Sequence, residues 1–200
     1  MALLYKAWVK REYMFVDPLA VMLLGVSASA VFIAYYLIAA AKGRRAFSDI
    51  ALPMFLLGAF DFLSGFYMSF FWPLPGAYNM LFGDPMLMLG VIMLAGGYAL
   101  YKGISPKPIS LLGFLLGIYL FAESYGMYAF SMEPLQDMAV ALSFYLVSAV
   151  AALLSPLVYI TPKKSGKAAY YFLAAVLIIV VILAMLIGVT SIIGHLQAPP

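Results

Sequence analysis

The sequence contains no cysteine and a single histidine, His195, close to its C-terminal end. Without thiolates the chain can form no disulfide, iron–sulfur cluster or thiolate metal site. One histidine outside the apolar runs cannot supply bis-histidine haem ligation or a histidine metal site within a membrane. No lysine lies in the middle of an apolar run, which excludes a retinal Schiff base. We therefore expect no cofactor and no metal site.

Charged residues are scarce as well, at 10% of the chain, whereas 66% of the residues are hydrophobic. A soluble domain carries about a quarter charged residues, so this sequence predicts an integral protein of the cell membrane with the lipid bilayer as a partner. A spanning helix needs about 20 apolar residues, and the runs here are continuous rather than alternating as in barrel strands. We predict an all-α fold with six transmembrane helices, over residues 18–41, 50–72, 85–101, 108–131, 135–159 and 168–193.

The basic residues indicate which way these helices point. Loops in the cytoplasm carry an excess of Lys and Arg, so we place the three most basic loops there and both termini outside. The net charge of +3 is then a signal of topology, and we expect no nucleic-acid partner. Residues 1–16 are interpreted as an interfacial segment or as an extension of the first helix, and residues 194–200 as an external tail. The basic residues of the three loops are Lys42, Arg44, Arg45, Lys102, Lys107, Lys163, Lys164 and Lys167.

An acid followed by proline precedes each odd-numbered span, at Asp17, Asp84 and Glu133. An acid at the N-cap can accept hydrogen bonds from free backbone N–H groups, and proline at the first helical position loses no hydrogen bond. We therefore predict these three acids as helix N-caps. Their recurrence suggests three successive helical hairpins of similar design, although such capping can also arise without duplication.

Two carboxyl groups lie within apolar runs that contain no Lys or Arg, at Asp61 and Glu123. They lie roughly 16 Å and 21 Å along their helices from the basic ends, so we expect them at similar depth. An ionisable group at bilayer depth is costly and often functional, which suggests a buried polar centre that handles protons. The alternative is that each is a hydrogen-bonded link between helices, and whether the two touch stays open. Supporting candidates on the same helices are Ser64, Tyr67, Tyr119, Ser124 and Tyr125.

No catalytic residues are predicted. Ser64 has no histidine in its helix layer, and no glycine-rich phosphate-binding loop is present, so we expect no enzyme. The sequence favours a protein that moves a small solute or ion, with proton coupling through Asp61 and Glu123. The alternative is a cofactor-free accessory subunit of a larger membrane complex. Self-association and association with other membrane subunits are both left open.

The segment 74–85, with the sequence LPGAYNMLFGDP, and Asp17-Pro18-Leu19 at the first span resemble an uncharacterised archaeal family of multi-pass membrane proteins. This resemblance implies an archaeal cell membrane and no activity. The six spans and Asp17-Pro18 are also similar, more weakly, to the acetate and succinate permeases, whose first span opens with Asn-Pro. Their full motif is absent here, and their termini are expected inside the cell.

Overall fold

The computed structural model of the chain describes residues 18–160 and 166–197, and this part of the chain is helical without any strand. Six of its helices are long and apolar enough to cross a membrane, which confirms the predicted all-α fold with six such helices. Their orientation in the bilayer stays a prediction. The helices are α1 (Pro18–Ala41), α2 (Ser48–Phe71), α3 (Tyr78–Tyr101), α4 (Ser110–Ala129), α5 (Leu135–Leu153), the short α6 (Leu157–Ile160) and α7 (Gly166–Gln197), with a 3-10 turn at Lys107–Ile109 before α4.

The six long helices form a closed ring, in which each packs against the next in the order α1, α2, α3, α4, α5, α7 and back to α1, and α1 and α3 also touch each other directly. The most extensive contacts join α2 to α3, α1 to α7 and α4 to α5. In each of these pairs, the two helices belong to different predicted hairpins. The hairpins are therefore not the packing units of the fold.

Helices α2 and α3 pack so closely that their backbones touch. A Cβ atom built on Gly65 would lie 2.2 Å from the backbone nitrogen of Leu87, and one built on Gly90 would lie 2.2 Å from that of Phe62. Small residues allow this close approach. Lipid provides no hydrophobic driving force between helices, so close van der Waals contact holds the two helices together. The glycines at this contact recur every seven residues on both helices, at Gly58 and Gly65 and at Gly83, Gly90 and Gly97.

The third span begins earlier than predicted, because α3 starts at Tyr78 and contains Pro85 in its interior. Asp84 is therefore not an N-cap, and the N-cap position is occupied by Ala77. Proline lacks an N–H group, so Pro85 leaves the carbonyl of Leu81 without its helical donor. The hydroxyl of Tyr145 donates to that carbonyl at 2.5 Å. A helix interior tolerates proline where another group satisfies the freed carbonyl in this way.

The other predicted helix starts and ends also differ from the structure. Glu133 lies one residue before the N-cap of α5, which is Pro134, and no side chain caps that helix. The predicted fifth span is interrupted after Leu153, because Pro156 cannot continue the helix. Helix α7 continues to Gln197, into the predicted tail. Asp17, residues 1–16 and the last three residues lie outside the described part of the chain.

Candidate functional site

Asp61 is fully buried, with 0% of its surface exposed, on the side of α2 that meets α1 and α3. The Ser29 hydroxyl of α1 donates to Oδ2 of Asp61 at 2.5 Å. The other oxygen, Oδ1, has no hydrogen-bond partner among the described residues. A Cβ atom on Gly25 would come within 2.7 Å of Oδ1 and 2.9 Å of the Met86 methyl group, so glycine makes room for the carboxyl group.

Glu123 lies on α4 in a second polar cluster, at the contact of α3 and α4. Both of its carboxyl oxygens are buried and have no hydrogen-bond partner in the described part of the chain. Asp84 of α3 is close enough to interact with Glu123 electrostatically. Asp84 itself is satisfied, because Ser69 donates to Oδ1 at 2.6 Å and Tyr119 donates to Oδ2 at 2.5 Å. The cluster therefore links α2, α3 and α4 through one carboxyl group, with a second beside it.

The two acids predicted as a buried centre do not come together. Asp61 bonds to Ser29 on α1, whereas Glu123 faces Asp84, and α3 packs against both helices that carry the two acids. No hydrogen bond joins Asp61 to Glu123 among the residues described. The structure thus contains two separate acidic positions, and Glu123 interacts electrostatically with Asp84, the acid that the sequence had suggested as a cap.

The supporting candidates have different surroundings. Tyr119 belongs to the Asp84 cluster, and Ser124 is buried but donates to the Leu120 carbonyl of its own helix at 2.7 Å. Tyr67 and Tyr125 are exposed on the outside of the ring, at 51% and 71%. Ser64 is half-buried and bonds to neither acid within the described residues. Only Tyr119 of the five therefore shares a polar cluster with Glu123, and none bonds to Asp61.

Sequence reasoning missed the roles of four residues, namely Ser29, Ser69, Asp84 and Tyr145. Ser29 is four residues from Gly25, a spacing typical of closely packed membrane helices, which by itself does not identify the hydrogen bond to Asp61. Asp84 was assigned to a cap because Pro85 follows it. Tyr145 had no signal of its own, but an in-helix proline always frees a carbonyl, and a tyrosine on another helix is a suitable donor.

The inside of the ring holds a cavity of about 250 Å³. Its lining comes from all six long helices and is almost entirely apolar. Along α3 the lining runs from Leu81 to Leu100, or roughly 28 Å at the usual helical rise. Neither Asp61 nor Glu123 lines it, whereas Tyr145 does. The cavity can therefore hold an apolar molecule, and both buried acids lie in the packed walls around it.

The cavity adjoins an open, polar vestibule of about 680 Å³ at the end of the ring where α1 and α3 end and α2 and α4 begin. Arg44, Arg45, Lys102 and Lys107 line this vestibule. Arg44 donates to Asp49 at 2.6 Å and to the Tyr35 hydroxyl at 2.7 Å. The hydrogen bond to Asp49 raises the pKa of Arg44 above its ordinary value, so this guanidinium stays charged and is held between α1 and α2. Five residues line both spaces, namely Tyr36, Leu100, Pro106, Lys107 and Tyr170.

No curated protein and no solved structure matches the chain. One family model, described as "Protein of unknown function (DUF981)", matches residues 14–198. That description names no activity and no source organism, so the archaeal membrane and the similarity to acetate and succinate permeases stay predictions. The match covers nearly the whole chain and confirms the expected membership of a family of unknown function. The chain belongs to the DUF981 family.

Proposed function

We propose that this protein binds a small, largely apolar molecule within its helical ring and moves it between the membrane and the basic face. The observation that carries the proposal is the cavity of about 250 Å³ inside the closed ring. Ligand sites are typically concave, mostly apolar and furnished with a few polar groups. The polar side chains that line the cavity include Tyr145, Ser148 and Ser110. The hydroxyls of Ser148 and Ser110 have no partner in the described part of the chain.

The character of the lining determines the class of solute. A hydrophilic ion would lose its hydration in this cavity and find few polar groups to replace it, which is strongly unfavourable. An apolar molecule gains roughly 25 cal/mol for each Å² that it removes from water. An apolar or amphiphilic solute is therefore favoured over the small hydrophilic solutes or ions that the sequence left open.

In this proposal the acid clusters control the wall of the cavity rather than contact the solute. Tyr119 joins α4 to Asp84 of α3, and Tyr145 joins α5 to the Leu81 carbonyl of α3. Both bonds lie on the turn around Pro85, which also lines the cavity. A movement of this turn that widens the cavity has to break both bonds. Glu123 interacts electrostatically with Asp84 beside this contact, and a proton on Glu123 would remove that like charge, which is how movement of the solute would be coupled to protons.

The test uses a substitution that fills the cavity. A Cβ atom on Gly96 has the Met54 methyl carbon as its nearest neighbour, at 3.6 Å, so Gly96→Leu can project into the cavity without striking backbone. The matched control is Leu115→Phe, which enlarges a side chain that is 56% exposed on the outside of the ring. Wild-type and variant proteins are purified in a mild detergent, and the apolar molecules bound to each are extracted and identified by mass spectrometry.

We expect Gly96→Leu to lose most of a bound molecule that wild type and Leu115→Phe retain. A fluorescent alkyl probe in proteoliposomes then tests movement, with loss of transport expected in Gly96→Leu alone. Equal binding and equal movement in all three proteins would overturn the proposal. Stable copurification of other membrane subunits, with no bound apolar molecule, would favour the accessory-subunit alternative instead.

A further inference from the structure

The vestibule beside the cavity carries positive charge that the carboxylates around it do not neutralise. Arg45, Lys102 and Lys107 line the vestibule, and none of them forms a salt bridge with a carboxylate among the described residues. The single salt bridge described there uses the fourth cation, Arg44. Lys102 lies over the rings of Tyr98 and Tyr101, at 5.8 Å and 5.4 Å from their centroids, which orients its ammonium group without neutralising it.

Two helices begin at this vestibule, and the first turn of α2 already holds a carboxylate, that of Asp49. Helix α2 starts at Ser48, which lines the vestibule, and no side chain caps its N-terminus. Helix α4 starts at Ser110, directly after the turn that contains Lys107. The helix dipole favours an anion at such ends, and the N–H group of Ser110 itself already donates to the carbonyls of the preceding turn. The Ser110 hydroxyl, which has no partner in the described part of the chain, lines the adjoining end of the cavity.

The cationic vestibule and the apolar cavity adjoin each other and share five lining residues. The ammonium-bearing residue Lys107 lines both spaces, as does Leu100 at the end of α3. A molecule that lies in the cavity with one end at this boundary therefore places that end beside three uncompensated cations. The rest of the molecule lies among apolar side chains along α3.

We infer that the ligand is a single-chain amphiphile whose chain occupies the cavity and whose anionic head group, a phosphate or a carboxylate, binds in the vestibule to Arg45, Lys102 and Lys107. This inference rests on the proposed function, because it presumes that the cavity is occupied. A single chain is specified because about 250 Å³ lies below the roughly 300–1,000 Å³ of typical small-molecule pockets. The charge complementarity at the mouth selects the head group, and the apolar lining selects the chain.

The competing explanation is that these cations serve topology alone, as basic residues at cytoplasmic loops commonly do. The two explanations differ in one respect. A topological role depends on the number of charges in the loops, whereas head-group binding depends on where each charge lies. Lys42 separates them, because it lies on the same basic face and is exposed but does not line the vestibule.

The experiment measures binding of four probes with one common alkyl chain to the purified protein in phosphatidylcholine nanodiscs, after subtraction of binding to empty nanodiscs. The probes carry a phosphate, a carboxylate, a neutral hydroxyl or a trimethylammonium head. We expect the two anions to bind about tenfold or more tightly than the alcohol, because charged hydrogen bonds are worth more than neutral ones. The cationic probe should bind most weakly, and inorganic phosphate alone should not compete at equal concentration.

The triple variant Arg45→Gln, Lys102→Gln, Lys107→Gln should lose this preference, with anion binding falling about tenfold to the level of the alcohol. Lys42→Gln should retain it. Thermal unfolding checks that the variants fold. If the triple variant does not fold, the single variant Lys102→Gln is used in its place. The source of the head group is identified by comparing the phosphate and carboxylate probes with a two-chain anionic phospholipid. Tighter binding of the two-chain lipid would overturn the single-chain assignment.

Failure of this inference is distinguishable from failure of the proposed function. If all four probes bind equally, and Gly96→Leu abolishes their binding, the cavity takes apolar chains and the head-group site is absent. If the triple variant and Lys42→Gln weaken anion binding by the same factor, the effect is one of general surface charge and the head-group site is refuted. If no probe binds to wild type, both the proposed function and this inference are overturned.

Discussion

Asp61 is a fully buried carboxyl group whose partner is a neutral serine on another helix. Burial of a charge without a counter-charge is costly, and no described cation lies in hydrogen-bond contact with it. Gly25 leaves the space that Oδ1 occupies, so the backbone of α1 is shaped around this group. Asp61 therefore joins α1 to α2 at a place where an apolar residue would have been the simpler choice.

Removal of the Ser29 hydroxyl tests whether Asp61 acts as a link between helices. We expect Ser29→Ala to lower the free energy of unfolding by about 1 kcal/mol, because interhelical hydrogen bonds in membranes average roughly 0.6 kcal/mol and a buried oxygen loses its partner. Ser27→Ala is the control, since that buried hydroxyl bonds within its own helix at 2.8 Å. Unfolding in detergent is the measurement, and equal losses in both variants would contradict a specific link.

Asp61→Asn separates the structural from the proton-handling role. An asparagine oxygen can still accept from Ser29, so we expect little change in unfolding. If Asp61 carries protons during solute movement, the same variant should lose the pH dependence of transport in proteoliposomes. A variant that is fully stable and shows the pH profile of wild type would identify Asp61 as a structural link alone.

Glu133, in the loop between α4 and α5, offers a test of pH dependence outside the membrane-spanning helices. Burial, and then the charge of Asp137, raise the pKa of Glu133 above its ordinary value. The folded state therefore holds this proton more tightly than the unfolded state. Its contribution to stability is complete below the unfolded pKa of about 4.3 and is lost as the pH rises through the higher folded pKa.

We accordingly expect wild type to lose stability relative to Glu133→Gln as the pH rises from about 4 towards neutrality. Asp137→Asn should reduce the difference, because it removes one of the two causes of the shift in the pKa of Glu133. Chemical unfolding in detergent over this pH range is the measurement. Parallel curves for wild type and Glu133→Gln would show that Glu133 contributes nothing to the pH dependence.

At the scale of helices, hydroxyl groups satisfy carbonyls that prolines leave free. Pro156 has no N–H for the Ala152 carbonyl, which instead accepts from the backbone N–H of Ser155 at 3.1 Å and from the Ser155 hydroxyl at 2.7 Å. The same hydroxyl lies 2.8 Å from the Ser110 carbonyl of α4. Pro156 thus ends α5 at a place where the Ser155 side chain can bond to a carbonyl of α5 or of α4. After this break the chain continues towards α7.

The glycine contact of α2 and α3 is the element-scale feature most sensitive to substitution. We expect Gly65→Ala to destabilise the protein by about 2 kcal/mol, because the new Cβ atom would lie 2.2 Å from backbone and overpacking costs roughly 1–3 kcal/mol. Gly96→Ala is the matched control on α3, where the Cβ atom meets a side chain at 3.6 Å. It should be neutral or stabilising, by up to about 1 kcal/mol from helix propensity.

Thermal unfolding of the two variants in the same detergent provides this comparison. A loss in Gly65→Ala accompanied by an equal loss in Gly96→Ala would indicate that any added methyl group on these helices is harmful. It would contradict the specific backbone contact. Equal stability of Gly65→Ala and wild type would show that the two helices can separate without cost.

At the scale of the whole molecule, the ring encloses the cavity, and one hydrogen bond connects two helices that are not neighbours in the ring. Tyr145 of α5 donates to Leu81 of α3, although the principal neighbours of α3 are α2 and α4. Tyr145 and Leu81 both line the cavity. This bond therefore joins the first turn of α3 to the middle of α5 at the wall of the cavity.

We expect Tyr145→Phe to destabilise the protein by about 1–3 kcal/mol, because the Leu81 carbonyl then has neither its helical donor nor the hydroxyl. Pro85→Ala restores an N–H group for that carbonyl, so Tyr145→Phe should cost less in a Pro85→Ala background. A double-mutant cycle of unfolding free energies measures this coupling. Additive effects would show that the proline and the tyrosine hydroxyl act independently.

The sequence by itself determined the class of the protein and most of its element plan. The scarcity of charge and six long apolar runs predict helices that cross a membrane, because a helix satisfies its own backbone wherever lipid surrounds it. Asp61 and Glu123 were also identifiable, because a charge inside an apolar run is visible without any tertiary information. The start of α3 was predicted wrongly. Pro85 indicates the start of a helix as long as no other donor for the Leu81 carbonyl is known.

The tertiary structure alone decided which residues meet. Helix adjacency is not encoded in apolar periodicity when every helix is apolar on all sides, so Asp61 could not be assigned to Ser29 or Glu123 to Asp84. The cavity and its cationic mouth were invisible for the same reason, because they arise from the closure of six helices into a ring. Lipid-facing and cavity-facing side chains have the same chemistry in this protein, and only their positions in the ring distinguish them.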